Sequence, residues 1–223
     1  MPPDLEPQLP GASPDLSSGA EPSLPYRLSA AARAAFERVR REHTDELDQL
    51  EALEAQIIGW PVDSILAELR AMPTLPFEAD VPAENLTAVG ELYDLFRCLA
   101  GAAALHRMRE AVPLLLDRIC YSEPGEYFRS YIPSWIAGAA GNDCGYLVGC
   151  CVKAIQSGKR GSIHWAINVL CAYRTEAAET IRESAVPLLL ETVSLYREYN
   201  FDVATILDAV GIAHSIKHNI PQD

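Results

Sequence analysis

Arg109-Glu110-Ala111-Val112-Pro113-Leu114-Leu115-Leu116-Asp117 is repeated, with few changes, as Glu183-Ser184-Ala185-Val186-Pro187-Leu188-Leu189-Leu190-Glu191. The two prolines stand 74 positions apart (187 − 113), which is twice 37. One further helix pair, expected over 127–140 and 144–157, fits between them. A unit recurring at about 37 residues indicates stacked helix–turn–helix repeats, because no single unit can cover its own apolar face. Working outward, the chain reads as helix after helix: 86–106, 109–121, 127–140, 144–157, 162–174, 180–198 and 202–218. Apolar residues there recur at three- and four-residue steps, and alanine, a strong helix former, is the common small residue. The breaks carry turn chemistry at Pro124-Gly125, Gly141-Asn142, Ser157-Gly158 and Asn200.

Upstream the pattern changes. Residues 1–25 hold seven prolines among Gly, Ser and acidic residues, which is expected to be a disordered tail. Ser29 reads as the N-cap of one helix running to Ile58, with Phe36, Val39, His43, Leu47, Leu50 and Ile57 on its apolar stripe. Gly59 and Pro61 end it, and a short helix with Ile65, Leu66 and Leu69 follows. Three prolines in Met72–Pro82 mark a linker. The expected organisation is a tail over 1–25, an N-terminal helical cap and linker over 26–84, and a repeat domain over 85–220.

Composition narrows the function classes. The 223 residues are 49% apolar, with 18 Lys+Arg against 31 Asp+Glu, for a net charge of −13. That sign disfavours nucleic acid as a partner, since a phosphate backbone needs a basic footprint. No stretch approaches the roughly 20 apolar residues that cross a bilayer, and the first basic residue is Arg27, so neither a membrane span nor a secretory leader is expected. The six cysteines sit among apolar or small residues, which suggests reduced core thiols and a cytoplasmic location.

The Ala-Val-Pro-Leu-Leu-Leu segments at 111–116 and 185–190 resemble the second helix of HEAT-type repeats, including the short bacterial versions first noticed in phycobilisome lyases. Pro133, within Tyr131-Ile132-Pro133-Ser134-Trp135, resembles the proline that bends the first helix of many HEAT units. The resemblance covers roughly residues 86–218, about three units and a closing helix. It departs at the middle second helix, Cys144–Gln156, which lacks the Val-Pro-Leu-Leu core, and residues 26–70 show no unit. It implies an all-α fold: a right-handed α-solenoid of HEAT-like helix pairs whose second helices line the concave face.

Candidate chemistry is sparse. Gly158-Lys159-Arg160-Gly161-Ser162 lacks the spacing of a phosphate loop and follows no strand, so it reads as a basic turn able to touch an acidic patch. His214 and His218 share one face of the expected last helix, but Ser215 stands where a zinc hydrolase needs glutamate. Cys144, Cys150 and Cys151 near His164 lack knuckle spacing, and Cys150 and Cys151 point about 100° apart on a helix. Cys150 is expected to pack beside Gly149, where helices approach closely. The acidic groups Asp45/Glu46/Asp48 and Glu179/Glu183 read as solvated faces. Trp135 and Trp165 read as core residues, and Tyr146 and Tyr196 as exposed anchors.

No catalytic residue, metal or cofactor is therefore assigned. The expected function is a non-enzymatic protein–protein interaction module for a basic protein partner, and small size and acidity suit an immunity-type protein that neutralises a toxin. In repeat register, Asp117, Lys153, Gln156, Glu191, Tyr196 and Arg197 would form one strip along the second helices. The alternative implied by the resemblance is a cofactor lyase or other enzyme on the same scaffold. A DNA-wrapping glycosylase of HEAT-like type is disfavoured by the charge.

Overall fold

The structure, a computed structural model, describes residues 27–76, 81–119 and 126–216, with side chains from 131 onward in the last segment. The proposed tail lies outside the described residues. Those residues form eleven α-helices and no strand. In chain order they are α1 (Ala30–Glu42), α2 (Glu46–Ile58), α3 (Val62–Ala71), α4 (Leu86–Leu105), α5 (Ala111–Arg118) and α6 (Glu126–Ala139). They continue as α7 (Cys144–Gln156), α8 (Arg160–Ala172), α9 (Ala178–Ser184), α10 (Val186–Leu195) and α11 (Asn200–Ala209). None is long and apolar enough to cross a membrane.

Ser29 does cap α1: its Oγ accepts from Ala32 N at 3.0 Å and donates to Glu68 at 2.8 Å. The single helix expected from 29 to 58 is instead two. Asp45 takes an extended backbone and accepts from the amides of Leu47 and Asp48, which starts α2 afresh after His43 and Thr44. The supposed common stripe is thereby broken, leaving Leu47 63% exposed while Phe36, Val39 and Ile57 stay buried.

The expected helix over 180–198 also divides, into α9, α10 and a 3-10 turn at Arg197–Tyr199. Pro187 has no N–H to donate and falls in the first turn of α10, where no intrahelical donor is needed. Pro113 occupies the matching first turn of α5. The two repeated segments are thus two helix starts. The last helix stops at Ala209 and does not reach 218. Gly211 adopts φ +71°, Gly211 N donates to Asp208 O and Ile212 N to Leu207 O, a closure that favours glycine because a Cβ would be strained there.

Besides contacts between consecutive helices, alternate helices pack in two rows as far as α9. α2 rests on α4, α4 on α6, α6 on α8 and α8 on α11, while α3 rests on α5, α5 on α7 and α7 on α9 and α10. Apolar side chains buried between these rows form one cluster from Ala32 to Val210, with Phe96 and Trp165 among its largest fully buried members. Met72 and Leu75 of the expected linker belong to it, and Leu75 N donates to Arg118 O at 2.7 Å. A close helix approach lies at Gly138, where a Cβ would meet that of Ala104 at 3.0 Å. Gly149, expected to mark such a contact, has nothing within 4 Å of that position.

Candidate functional site

Two neighbouring helices of the second row, α5 and α7, leave a groove of about 350 Å3 between them. Leu114 and Leu116 line it from α5 and Tyr146 and Cys150 from α7, with Asp117 and Lys153 also in its lining. The wall on α7 is placed by its helix start. Asp143 is the N-cap, accepting from Tyr146 N at 2.8 Å and pairing with Arg109. That amide, and then the guanidinium, hold the Asp143 carboxyl below its ordinary value against a smaller opposing effect of burial. Arg109 also lies over the Tyr146 ring, 5.1 Å from its centre, and its carbonyl accepts from the Tyr146 hydroxyl at 2.8 Å. One arginine before α5 thus locks the first turn of α7 and its aromatic ring.

The groove carries little reactive chemistry. Burial pushes the Tyr146 phenol up to about 12, with the Cys150 contact adding to it. Burial likewise raises the Cys150 thiol, partly offset by the Tyr146 hydroxyl and Lys153. Both groups therefore stay protonated near neutral pH, and a protonated thiol is not a nucleophile. Cys98 and Cys151 are raised by burial too, Cys98 to about 12. Among the described residues no group of three or more His, Cys, Asp or Glu is placed to hold a metal ion. What remains is a trough lined by apolar side chains, a phenol, an ammonium and a carboxylate.

The strip read from the sequence is only partly assembled. Asp117 and Lys153 share this groove, and Gln156 is exposed farther along α7. Asp117 is already engaged: Lys159 Nζ lies 2.5 Å from it and Arg118 3.9 Å. Glu191 is exposed on α10, which packs on α7, and Arg197 is exposed in the 3-10 turn beyond. Tyr196 is half-buried, its ring edge-on to Tyr199 at 6.2 Å, and not the free anchor expected of it. Tyr146 is likewise half-buried and tied to Arg109. Trp165 is a core residue as expected, whereas Trp135 is half-buried and stacks on Tyr131 at 5.8 Å.

The basic turn and the histidine pair resolve differently from their readings. Lys159 pairs with Asp117, and Arg160 with Glu198 at 2.6 Å, so the acidic patch this turn meets lies on its own chain. His214 sits past the end of α11 with its Nε2 3.0 Å from Asp208, and His218 lies outside the described residues. The Arg109–Asp143–Tyr146 lock was not foreseen; the only local signal was Asp143 as a capping residue before Cys144. No family model, curated protein or solved structure matches the chain.

Proposed function

We propose that the chain is a non-enzymatic binding module: a right-handed, HEAT-like α-solenoid whose second-row helices α5, α7 and α10 hold a basic protein partner. The observation that carries this reading is the packing order, in which α2, α4, α6 and α8 rest in turn on one another, as do α3, α5, α7 and α9. Stacked helix pairs pack in this way, and such stacks bind along the surface of one row. Three features support it. The α5–α7 groove offers apolar surface together with polar groups. Glu191 and Gln156 extend the same row as exposed side chains. The net charge of −13 steers a basic partner toward it. In this reading α1 to α3 form the N-terminal cap of the stack.

Cys98, Cys144, Cys150, Cys151 and Cys171 are free, which suits a reducing cytoplasm. Small size and acidity suit an immunity-type role against a toxin. The test is affinity capture from the native cytoplasm with the whole chain as bait, followed by kinetics with the purified partner. The reading expects one stoichiometric basic protein whose capture is lost when Leu114→Glu and Lys153→Glu load the α5–α7 groove with charge. Capture that survives both changes would remove this face from the interaction.

A further inference from the structure

Helices α1, α2 and α4 enclose a separate recess of about 380 Å3, remote in sequence from the strip considered above. Its walls are apolar at Phe36, Val39, Leu50 and Leu53, and its acidic groups are Glu46, Glu91 and Asp94. A Cβ built at Gly90, on the α4 wall, would meet nothing within 4 Å, so the space in front of that residue is open. One basic side chain of the protein already uses this surface: the Arg40 guanidinium lies over the Phe36 ring, 5.6 Å from its centre, and pairs with Glu91. Arg97, on the next turn of α4, faces Glu54 at 3.8 Å.

Two carboxylates are then left over. Asp94 is half-buried, yet no hydrogen bond or ion pair joins it to a described residue, and the same holds for exposed Glu46 in the first turn of α2. Burial raises the Asp94 carboxyl, Glu91 and Glu46 add to that, and Arg97 and Arg40 oppose it. A half-buried carboxylate beside other acids is favoured by a cation that brings its own donors. The recess therefore combines an apolar bed with an acidic head-site, and Arg40 on Phe36 shows the matching mode of binding. An aliphatic stem ending in an ammonium or guanidinium satisfies both parts.

We propose that this recess receives a lysine or arginine side chain projecting from a protein partner, with its stem against Phe36, Leu50 and Leu53 and its head at Asp94 and Glu46. This site is separate from the α5–α7 face and does not depend on it.

The test is an amide-resolved NMR titration of the whole chain with the peptide Ac-Leu-Lys-Leu-NH2, its arginine analogue, and analogues with norleucine or glutamate at the centre. The two basic peptides should shift the amides of Leu50, Gly90 and Glu91 saturably, and the norleucine and glutamate peptides should bind at least about tenfold more weakly. Gly90→Leu, which occupies the open space, should abolish those shifts, and Asp94→Asn should weaken binding about three- to tenfold. Thermal melts of both variants establish that they fold; should Gly90→Leu not fold, Asp94→Asn decides. Equal binding of the norleucine peptide, shifts confined to other helices, or undiminished binding by a folded variant would overturn the proposal. None of these readouts involves the α5–α7 groove, so failure here leaves the capture experiment independent.

Discussion

Asp94 has a consequence for stability as well as for binding. Burial raises its carboxyl above the ordinary value of 3.8. With the folded-state value above the unfolded one, its contribution is favourable below the unfolded pKa and is lost as pH rises through the folded one. Asp94→Asn removes that liability. The variant should melt higher than the wild type at about pH 7, with the gain shrinking to nothing near about pH 3, as followed by circular dichroism. Tyr146 offers the converse case, a group whose bond helps. Tyr146→Phe deletes the hydroxyl that donates to Arg109 O while leaving the ring under the guanidinium. The bond is close to solvent, so urea unfolding should show a loss of about 0.5–1 kcal/mol. In the sequence Asp94 has no distinction, and Tyr146 reads as an exposed anchor, not as a side chain tied to Arg109. Asp94 is one acid among many until α1 and α2 cover it, and Tyr146 meets Arg109 across 37 positions.

At the scale of elements, the repeated segments supply an internal control. Leu115 and Leu189 occupy matching positions and are both fully buried, so Leu115→Ala and Leu189→Ala should each cost about 2–5 kcal/mol in denaturant unfolding. The next position separates the two helices. Leu116 is 1% exposed, whereas Leu190 is 41% exposed. Leu116→Ala should fall in the same range, and Leu190→Ala should stay within about 1 kcal/mol. Equal losses would mean that α10 is covered as α5 is. The α4–α6 contact sets a second limit. Gly138→Leu would drive a side chain into Ala104 and should cost at least about 1–3 kcal/mol, because two packed helices must separate to admit it. Helix existence was legible from period and composition, and helix ends were not. The breaks at Asp45, Pro187 and Gly211 each depend on one residue's backbone chemistry, which a smooth apolar stripe conceals.

For the whole molecule, charge is the property that acts at a distance. With a net charge of −13, association with a basic partner should slow roughly tenfold between about 50 mM and 500 mM salt, with little change in dissociation. Glu191→Lys should slow low-salt association more than Asp117→Asn, because Lys159 already neutralises Asp117. Stopped-flow measurements with the captured partner would check both, and equal effects would show that the Lys159 pair opens on binding. Of the six residues expected to form a strip, Asp117 and Lys153 line one groove, whereas Tyr196 and Arg197 lie past the end of α10. Which of the carboxylates is open to a partner was not legible in the sequence, because the Lys159–Asp117 pair closes over 42 positions.

The amino-acid sequence by itself determined that the chain is helical and acidic, and that one nine-residue segment occurs twice, 74 positions apart. Periodicity, composition and turn residues are local quantities, and each can be read within a window of a few turns. It also determined that Leu115 and Leu189 are core positions, because both lie in the repeated apolar run. Only the tertiary structure decided that Asp94 lies half-buried beside Glu91 and Glu46, that Tyr146 is locked by Arg109, and that Leu190 is open where Leu116 is covered. Those outcomes depend on which neighbour a helix face meets. The neighbour is set by the packing of elements distant in sequence, so no local window contains it.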